Sequence, residues 1–445
     1  MARSSFPVEV ALWIKSLSSL LHATHAWRLA PLLWGMLFAR GRRTVTSWLR
    51  AGELSDDFQG YYYFLGALGR KVKSFAGALL QMAVGTIHPG ERLLFAIDDT
   101  PTKRYGPHVQ GAGIHHNPTP GPADHKFVYG HVWVTLSWVV RHTLWGTIGL
   151  PLLACLYVRR ANMPDLPRRS GVKFETKLEQ AAGLVEWLAG WLKYLEKTLW
   201  VVVDGAYIKK PFLKRALKAG VTVIGRLRKD AALWSVPAAV TPGQRRRGRP
   251  RKYGGERISL AKRAGHRRGW QRGTFTLYNR QVLVCYKTFL ATYKPVSGLL
   301  RVVIVRADDG AWRAYMCTDT SVSVGALLEA VADRSAIEQN FHDVKEVHGA
   351  GQQQLRNYWA NIAAYHLSMW LHTLIELWAW HQPKKVLVDR SASPWDDVTR
   401  RPSHADRRNA LRGQCLENEF QRQVADAGLG RKTRRLWTRV LKLAI

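Results

Sequence analysis

The spacing of apolar residues divides the chain into a helical first part and a longer part of mixed strands and helices. Over residues 8–38 and 61–84, apolar side chains recur every three or four positions, without the alternation that marks a half-buried strand. We therefore predict an all-helical region over residues 1–89.

Short apolar runs rich in β-branched residues begin after residue 90. Their lengths and their Gly and Pro boundaries predict buried strands, and the longer periodic stretches between them predict helices. The predicted order is three strands, a helix, a strand, a helix and a strand, over residues 92–100, 130–140, 144–158, 174–195, 199–203, 211–218 and 221–224.

The region after residue 230 opens with a strongly basic segment and continues as strands. A helix follows over residues 333–345, and a buried helix is predicted over 359–380. The latter is a poor membrane span because it contains an asparagine, two histidines and a glutamate. The strands are predicted at 274–277, 282–286, 301–306 and 311–317, with a hairpin turn at Asp309 and Gly310.

The charge balance points to a polyanionic partner. The 445-residue chain carries 67 lysines and arginines against 32 aspartates and glutamates, a formal charge of +35. Nucleic acid is the first candidate and an anionic membrane surface the second. Four separated cysteines without a Cys-x2-Cys pair, and no apparent signal peptide, predict a cytoplasmic protein without a zinc module or disulfide framework.

Two of the predicted strands end in aspartate. The first delivers Asp98 and Asp99, and the fourth delivers Asp204, directly before Gly205. Open α/β sheets place their sites at the carboxyl ends of strands, and a buried carboxylate is costly unless a metal or a charged partner compensates it. The alternative for Asp204 is a structural turn or a helix cap.

A third acid lies on the helix over residues 333–345. At about 100° per residue, Arg334, Glu338 and Lys345 fall within one narrow stripe beside an apolar stripe. Glu338 at the edge of a buried face can ligate a metal, while Arg334 and Lys345 can meet phosphate. The alternative is a solvated charged stripe on an amphipathic helix.

One basic segment lies inside the helical region. Arg42 and Arg43 precede a short helix that Thr44 or Thr46 can cap. This arrangement is typical of a DNA-end-binding element, and a basic surface turn in a helical bundle is the alternative.

A second basic segment opens the strand-rich region. Arg247, Gly248, Arg249 and Pro250 match the core of an AT-hook, which lies in narrow minor grooves. Two further basic residues follow, Arg251 and Lys252. A general phosphate-binding loop is the alternative, and either would contact DNA.

Taken together, these motifs resemble those of bacterial insertion-sequence DDE transposases. Arg-x3-Glu-x6-Lys in the predicted helix resembles their Tyr-x2-Arg-x3-Glu-x6-Lys signature, with Val331 at the tyrosine position. Ile-Asp-Asp-Thr at 97–100 and Asp-Gly-Ala-Tyr at 204–207 resemble their first and second catalytic segments. The resemblance covers about residues 90–375.

The resemblance implies an α/β fold in which an RNase H-like catalytic core is interrupted by a β-rich insertion and preceded by a helical N-terminal domain. The predicted element order agrees with that fold. The implied divisions are a DNA-end-binding domain (1–89), the first part of the core (90–229), the basic β-rich insertion (230–320), the rest of the core with the Glu-bearing and packing helices (321–382) and a basic C-terminal tail (383–445).

The implied activity is metal-dependent DNA cleavage and strand transfer at the ends of an insertion sequence. In such enzymes three carboxylates are the catalytic residues, and the same three bind two metal ions, Mg²⁺ or Mn²⁺. The matching residues are Asp98, Asp204 and Glu338, with Asp99 as the alternative to Asp98.

Implied partners follow from the same resemblance. Arg334 and Lys345 position phosphates, and the basic insertion holds double-stranded DNA of the terminal inverted repeats or of the target. A second copy of the chain joins it in a synaptic complex. The implied location is the bacterial cytoplasm, at the nucleoid and away from the membrane.

Three other classes of protein stay open. An RNase H-like structure-selective nuclease cleaves without strand transfer, and a non-catalytic DNA-binding protein, such as a decayed transposase, binds without cleaving. A peripheral membrane protein would bind liposomes without DNA. The sequence also leaves open whether excision passes through a DNA hairpin.

Overall fold

The computed structural model describes residues 5–117, 125–168, 170–238, 251–391, 393, 395–424, 437 and 440. Its first part is helical, as the apolar spacing predicts. The Thr44 side chain accepts a hydrogen bond from the Ser47 backbone N–H and caps the fourth helix. These helices are α1 (Val8–Ser18), α2 (Ala23–Ala26), α3 (Leu29–Phe38), α4 (Val45–Ala51), α5 (Phe58–Gly69) and α6 (Val72–Ile87).

A mixed sheet follows, in which the described residues contribute twelve strands. The strands are β1 (Arg92–Lys103), β2 (Gly113–His116), β3 (Phe127–His142), β4 (Gly146–Tyr157), β5 (Thr198–Val203), β6 (Thr222–Leu227), β7 (Leu233–Trp234), β8 (Arg257–Ile258), β9 (Gln271–Leu277), β10 (Arg280–Tyr293), β11 (Gly298–Arg306) and β12 (Trp312–Cys317). The accompanying helices are α7 (Lys177–Leu192), α8 (Lys210–Lys218), α9 (Leu260–Gly265), α10 (Val324–Asp333), α11 (Ser335–Glu346), α12 (Tyr358–Ala379), α13 (Lys384–Leu387) and α14 (His404–Val424).

Across the middle of the sheet the strands lie in the order β4, β3, β1, β5, β6, β12, β11 and β10. Strands β1, β5 and β6 are parallel, and the pairs on either side of them are antiparallel. Because β12 pairs directly with β6, the strands that follow the basic segment extend the same sheet. The predicted turn at Asp309 and Gly310 connects β11 to β12, with Gly310 at φ +79°.

Strand β10 is longer than predicted. It continues past residue 286 to Tyr293, which pairs with Gly298 of β11. This extension mixes polar and apolar side chains without strict alternation, and Ser297 at φ +61° turns the chain back. The prediction stopped early because it used only the more continuous apolar run.

Alternate residues of β1 face opposite sides of the sheet. Leu93, Phe95 and Ile97 join a core shared with the N-terminal helices, α7, α8 and α12. Leu94 and Ala96 join a second core that contains Ala336 and Ile337 of α11. The side chain of an even-numbered residue on β1 therefore faces α11.

Helix α12 is buried along nearly its whole length, as predicted. Its polar side chains bond to the neighbouring strand β4: Trp370 Nε1 donates to the Leu152 carbonyl, and Thr373 donates to the Pro151 carbonyl. These bonds satisfy polar groups in a water-free setting. Within the described residues, every helix is too short or too polar to cross a membrane.

The predicted helix over residues 333–345 is interrupted at its start. Helix α10 ends at Asp333 and α11 begins at Ser335, with Arg334 at the junction in helical conformation (φ −54°, ψ −29°). Asp333 is fixed by Arg141 at 2.9 Å and by the Thr147 hydroxyl at 2.8 Å. These contacts with β3 and β4 set the direction in which Arg334 and α11 leave the junction.

Candidate active site

Two of the predicted carboxylates lie where the parallel pairing of β1 with β5 ends, although β1 itself continues to Lys103. Ile97 of β1 lies opposite Val203 of β5, so Asp98 and Asp204 are the next residues on the two strands. Both are even-numbered, and Trp200 and Val202 of β5 belong to the core that contains α11. The strand register therefore places Asp98 and Asp204 beside each other on the face that α11 covers.

The third carboxylate reaches the same place from α11. Ala336 and Ile337 pack into the core below it, and Asn340 Nδ2 donates to the Gly149 carbonyl of β4 at 2.8 Å. This leaves Glu338 in the first turn of the helix, with its side chain 60% exposed. The helix is thus fixed on its buried side while Glu338 stays accessible to a ligand.

One guanidinium group joins two of the three acids. Arg334 Nη1 lies 2.6 Å from Asp98 Oδ2, and Arg334 Nη2 lies 2.8 Å from Glu338 Oε1. Burial lowers the pKa of Arg334, but Asp98, Glu338 and Asp204 together raise it above its usual value. The three predicted carboxylates therefore surround one cation.

Asp98 has an unusual protonation equilibrium. Burial raises its pKa from 3.8 to about 6, although Arg334 and the Asp99 backbone N–H, which donates to Asp98 Oδ1, act in the opposite direction. Arg334 alone therefore does not supply enough positive charge for Asp98 to ionise as readily as an ordinary aspartate.

Asp99 lies on the other face of β1. Its Oδ2 is 2.6 Å from Lys177 Nζ at the start of α7, and its Oδ1 accepts a hydrogen bond from the Tyr207 hydroxyl at 2.9 Å. Burial and the neighbouring carboxylates raise the pKa of Tyr207, so it stays a protonated donor. The structure thus brings Asp98, and not Asp99, to Glu338. The partners Lys177 and Tyr207 were not predicted, and the tyrosine in the Asp-Gly-Ala-Tyr segment was the available signal.

Lys345 lies two turns after Glu338, on the wall of a groove of about 1160 Å³. Arg42, Lys103 and Tyr105 line the same groove, and the Arg42 guanidinium lies 6.0 Å from the Tyr105 ring centre. Burial lowers the pKa of Lys345. The groove therefore combines lysine and arginine side chains with an exposed aromatic ring beside α11.

Arg43 differs from Arg42 in its surroundings. Its backbone N–H donates to Gln352 Oε1 at 2.7 Å, and its carbonyl accepts from Gln353 Nε2 at 3.2 Å. Burial lowers the pKa of its half-buried guanidinium. Arg43 therefore attaches the helical region to the loop after α11, a role that a local sequence pattern does not indicate.

The predicted AT-hook lies largely outside the described residues, since these begin again at residue 251. Arg247 and Arg249 are in the part that is not described. Arg251 and Lys252 are exposed.

A second groove, of about 600 Å³, opens beside Asp204. Lys229 and Trp312 lie across it, with the Lys229 ammonium 5.2 Å from the Trp312 ring centre. Trp312 is partly buried, packs against the main core and also lines this groove. Positive charge therefore borders the predicted carboxylates on this side too.

Comparison with known proteins adds a family assignment. Among solved structures, a chain of the piggyBac transposase synaptic complex with hairpin DNA, studied by cryo-EM, matches with a TM-score of 0.40 and 11% sequence identity over 96% of this chain and 80% of that one. A similarity of that size carries no argument about fold or function. No curated protein matches the sequence.

The family model of the DDE superfamily endonucleases matches residues 16–275, more than half of the chain. The matched range includes Asp98 and Asp204 and ends before Glu338. By this match, the chain belongs to the DDE superfamily endonuclease family.

Proposed function

We propose that the chain is a transposase that cuts DNA at the ends of an insertion sequence and joins the freed ends to target DNA. The observation that carries the proposal is the Arg334 bridge between Asp98 and Glu338, with Asp204 in register beside Asp98. Residues from three separate elements meet here, where the parallel pairing of β1 with β5 ends. Membership of the endonuclease family supports a cleavage chemistry at this position.

The donor set fits a divalent ion of the Mg²⁺ type. Carboxylate oxygens are the ligands that Mg²⁺ prefers, and Asp98 and Glu338 already share one cationic group. The raised pKa of Asp98 adds a reason, because a nearby cation favours its ionised form. Two such ions, when bound, supply an activated water and stabilise the leaving oxygen at the scissile phosphate. Mn²⁺ prefers the same ligands and is the alternative ion.

The side chains of the chain itself have separate roles in this proposal. Asp98, Asp204 and Glu338 hold the ions, and Arg334 keeps Asp98 and Glu338 together against their mutual repulsion. Once the carboxylates have a divalent ion, the Arg334 guanidinium can donate to a DNA phosphate, as can Lys345.

We infer that the catalytic core is RNase H-like. The support is the order β4, β3, β1, β5 and β6, with one aspartate within β1, the other directly after β5, and the glutamate on a later helix. The division of the chain at residues 89, 229, 320 and 382 remains a prediction.

The proposed partner is double-stranded DNA, both the terminal inverted repeats and the target. Its support is the formal charge of +35 and the basic grooves on two sides of the carboxylates. Arg42, Arg251 and Lys252 are exposed and so available to phosphate. Arg43 is half-buried, and only the part of its side chain that reaches the surface is proposed to contact DNA. A homodimeric synaptic complex and a place at the bacterial nucleoid rest on the resemblance alone.

The test is a cut-and-join assay on labelled DNA that carries the element's own end. The wild type with Mg²⁺ is expected to yield nicked ends and then products joined to a target plasmid, and EDTA is expected to abolish both. Nicked ends that never join identify a structure-selective nuclease. Binding without nicking, in Mg²⁺ and in Mn²⁺, identifies a non-catalytic DNA-binding protein.

A further inference from the structure

A second cluster of ligand-type side chains lies where α11, α12 and α14 meet. His372 and Glu376 are one turn apart on α12, His404 begins α14, and His348 follows α11. All four are buried, with at most 4% of each residue exposed. One potential ligand atom from each of His372, Glu376 and His404 lies within 4.8 Å of the other two. The cluster shares none of the residues proposed for DNA cleavage.

Glu376 orients His404. Glu376 Oε1 lies 2.5 Å from His404 Nδ1 and also accepts hydrogen bonds from Arg407, from Nε at 3.0 Å and from Nη2 at 2.8 Å. A carboxylate at Nδ1 holds the proton there and leaves the lone pair of the ring on Nε2. This carboxylate-histidine arrangement is the one that orients imidazole ligands in metal sites.

The free lone pair of His404 points at another imidazole. His404 Nε2 lies 2.7 Å from His348 Nε2. Without an ion, His348 must hold its proton on Nε2 to form a hydrogen bond at this distance. With an ion between them, both nitrogens become ligands after a small separation.

Two further atoms in the cluster have no hydrogen-bond partner among the described residues. They are Glu376 Oε2 and His372 Nδ1, and both are inaccessible to solvent. A buried polar atom left unpaired costs about 1–3 kcal/mol. The His372 ring stacks on His404 with centres 3.9 Å apart, and its Nε2 lies 3.8 Å from Asp343 Oδ2, so a rotation that turns Nδ1 towards an ion would replace these contacts. The unpaired atoms are thus of the kind that a cation satisfies.

We propose that His348, His372 and His404 bind one zinc-type transition-metal ion, while Glu376 stays on Nδ1 of His404 and orients that ring. Buried imidazole nitrogens are the ligand type that tetrahedral Zn²⁺ sites use. Mg²⁺ does not fit, because it requires six oxygen ligands and retains water. The site contains no cysteine, so the cysteine spacing of the sequence could not indicate it.

Charge and access are compatible with this site. Two carboxylates contact the cluster, Asp343 at His372 and Glu376 at His404, and the Arg407 guanidinium contacts Glu376. A cavity of about 590 Å³ lined by His372, Glu376 and His404 gives an ion a route from the surface. The ion would fix the start of α14 and the end of α11 to α12, and α11 is the helix that carries Glu338.

The test is the zinc content of the full-length protein, produced without a histidine tag in medium with added Zn²⁺ and dialysed extensively. We expect about one zinc per chain by mass spectrometry of the metal, and loss of that zinc in His404→Gln and His372→Gln. The matched control is His366→Gln, because His366 is buried on the same helix but bonds to Ala154 and Ile362. A double variant, Asp98→Asn with Glu338→Gln, is expected to retain the zinc, which separates this site from the one proposed for cleavage.

A second readout needs only the wild type. Replacement of the metal by Co²⁺ is expected to give the visible absorption of a tetrahedral ion without a sulfur charge-transfer band. Zn²⁺ added to metal-free protein is expected to raise the unfolding temperature by about 5 °C or more. A monodisperse wild type without zinc and without this rise overturns the proposal and leaves a purely hydrogen-bonded cluster. Retention of zinc by His404→Gln, or its loss from the Asp98 and Glu338 double variant, also overturns it.

Discussion

Replacement of Asp98 by asparagine is expected to make the metal-free protein more stable than the wild type at pH 8. Burial raises the pKa of Asp98 from 3.8 to about 6, so the folded protein binds this proton more tightly than the unfolded chain does. The stability that comes from the proton is fully present below the unfolded pKa and is lost as the pH rises through the folded pKa. Asparagine resembles the protonated carboxyl group but does not titrate, so the variant loses no stability as the pH rises.

The size of the effect follows from the two pKa values. A shift from 3.8 to about 6 corresponds to roughly 3 kcal/mol between the protonated and ionised limits. Between pH 5 and pH 8 only part of this free-energy difference is lost. Linkage gives a decrease of about 1.4 kcal/mol in the free energy of unfolding of the wild type relative to the variant. The Asp98 side chain is 22% exposed, so solvent screens this effect only in part.

Urea unfolding followed by tryptophan fluorescence, in EDTA at pH 5 and pH 8, measures the difference directly. Asp230→Asn is the control, since Arg228 lowers the pKa of that exposed carboxyl group below its usual value, so both pH values lie above its titration and its difference from the wild type should not change between them. If Asp98→Asn and the wild type differ in free energy of unfolding by the same amount at both pH values, the reasoning from burial is wrong.

Three further substitutions test the surroundings of the site. Arg334→Lys is expected to lower single-turnover cleavage about 10- to 100-fold, because a lysine cannot bridge two carboxylates and a charged hydrogen bond contributes about 1.5–3 kcal/mol. Tyr207→Phe removes the hydrogen bond to Asp99 and is expected to lower the free energy of unfolding by about 1–3 kcal/mol in urea titrations. Gly69→Ala places a methyl group 2.0 Å from the Trp359 carbonyl oxygen, between α5 and α12, and is expected to cost about 3 kcal/mol in the same titrations.

Each of these three expectations can be contradicted by a specific result. Cleavage by Arg334→Lys at the wild-type rate would mean that the bridge is dispensable. A Tyr207→Phe protein of wild-type stability would mean that Lys177 alone satisfies Asp99. Gly85→Ala, where a methyl group meets no atom within 4 Å, is the control for Gly69→Ala and should stabilise its helix slightly.

The sequence located the acids because their signals are local. An apolar run that ends in aspartate predicts a buried strand with a carboxylate at its end; Asp204 directly follows β5, whereas Asp98 lies within β1, which continues to Lys103. The choice between Asp98 and Asp99 was not local, because both follow the same run. It depends on which face of β1 packs against α11, and only the packed structure contains that information.

In the C-terminal part, by contrast, the local sequence signal was misleading. The sequence predicted a basic C-terminal tail over residues 383–445, but Arg407 and Arg408 on α14 are buried. Arg407 bonds to Glu376 of α12, and Arg408 bonds to the Leu37 carbonyl of α3. Such partners lie far away in sequence, so charge patterning cannot distinguish a guanidinium that packs inside from one that meets DNA. The histidine cluster was missed for the same reason.

The most direct test of the account is single-turnover nicking of the element's end DNA in Mg²⁺ by four variants. Asp98→Asn, Asp204→Asn and Glu338→Gln are predicted to bind the DNA and to lose nicking by about 1000-fold or more, as expected for groups that hold the catalytic ions. Glu346→Gln, on the same helix as Glu338 but outside the cluster of carboxylates, is predicted to nick at the wild-type rate. Normal nicking by Glu338→Gln, or by Asp98→Asn, would contradict the central claim that these three carboxylates form the active site.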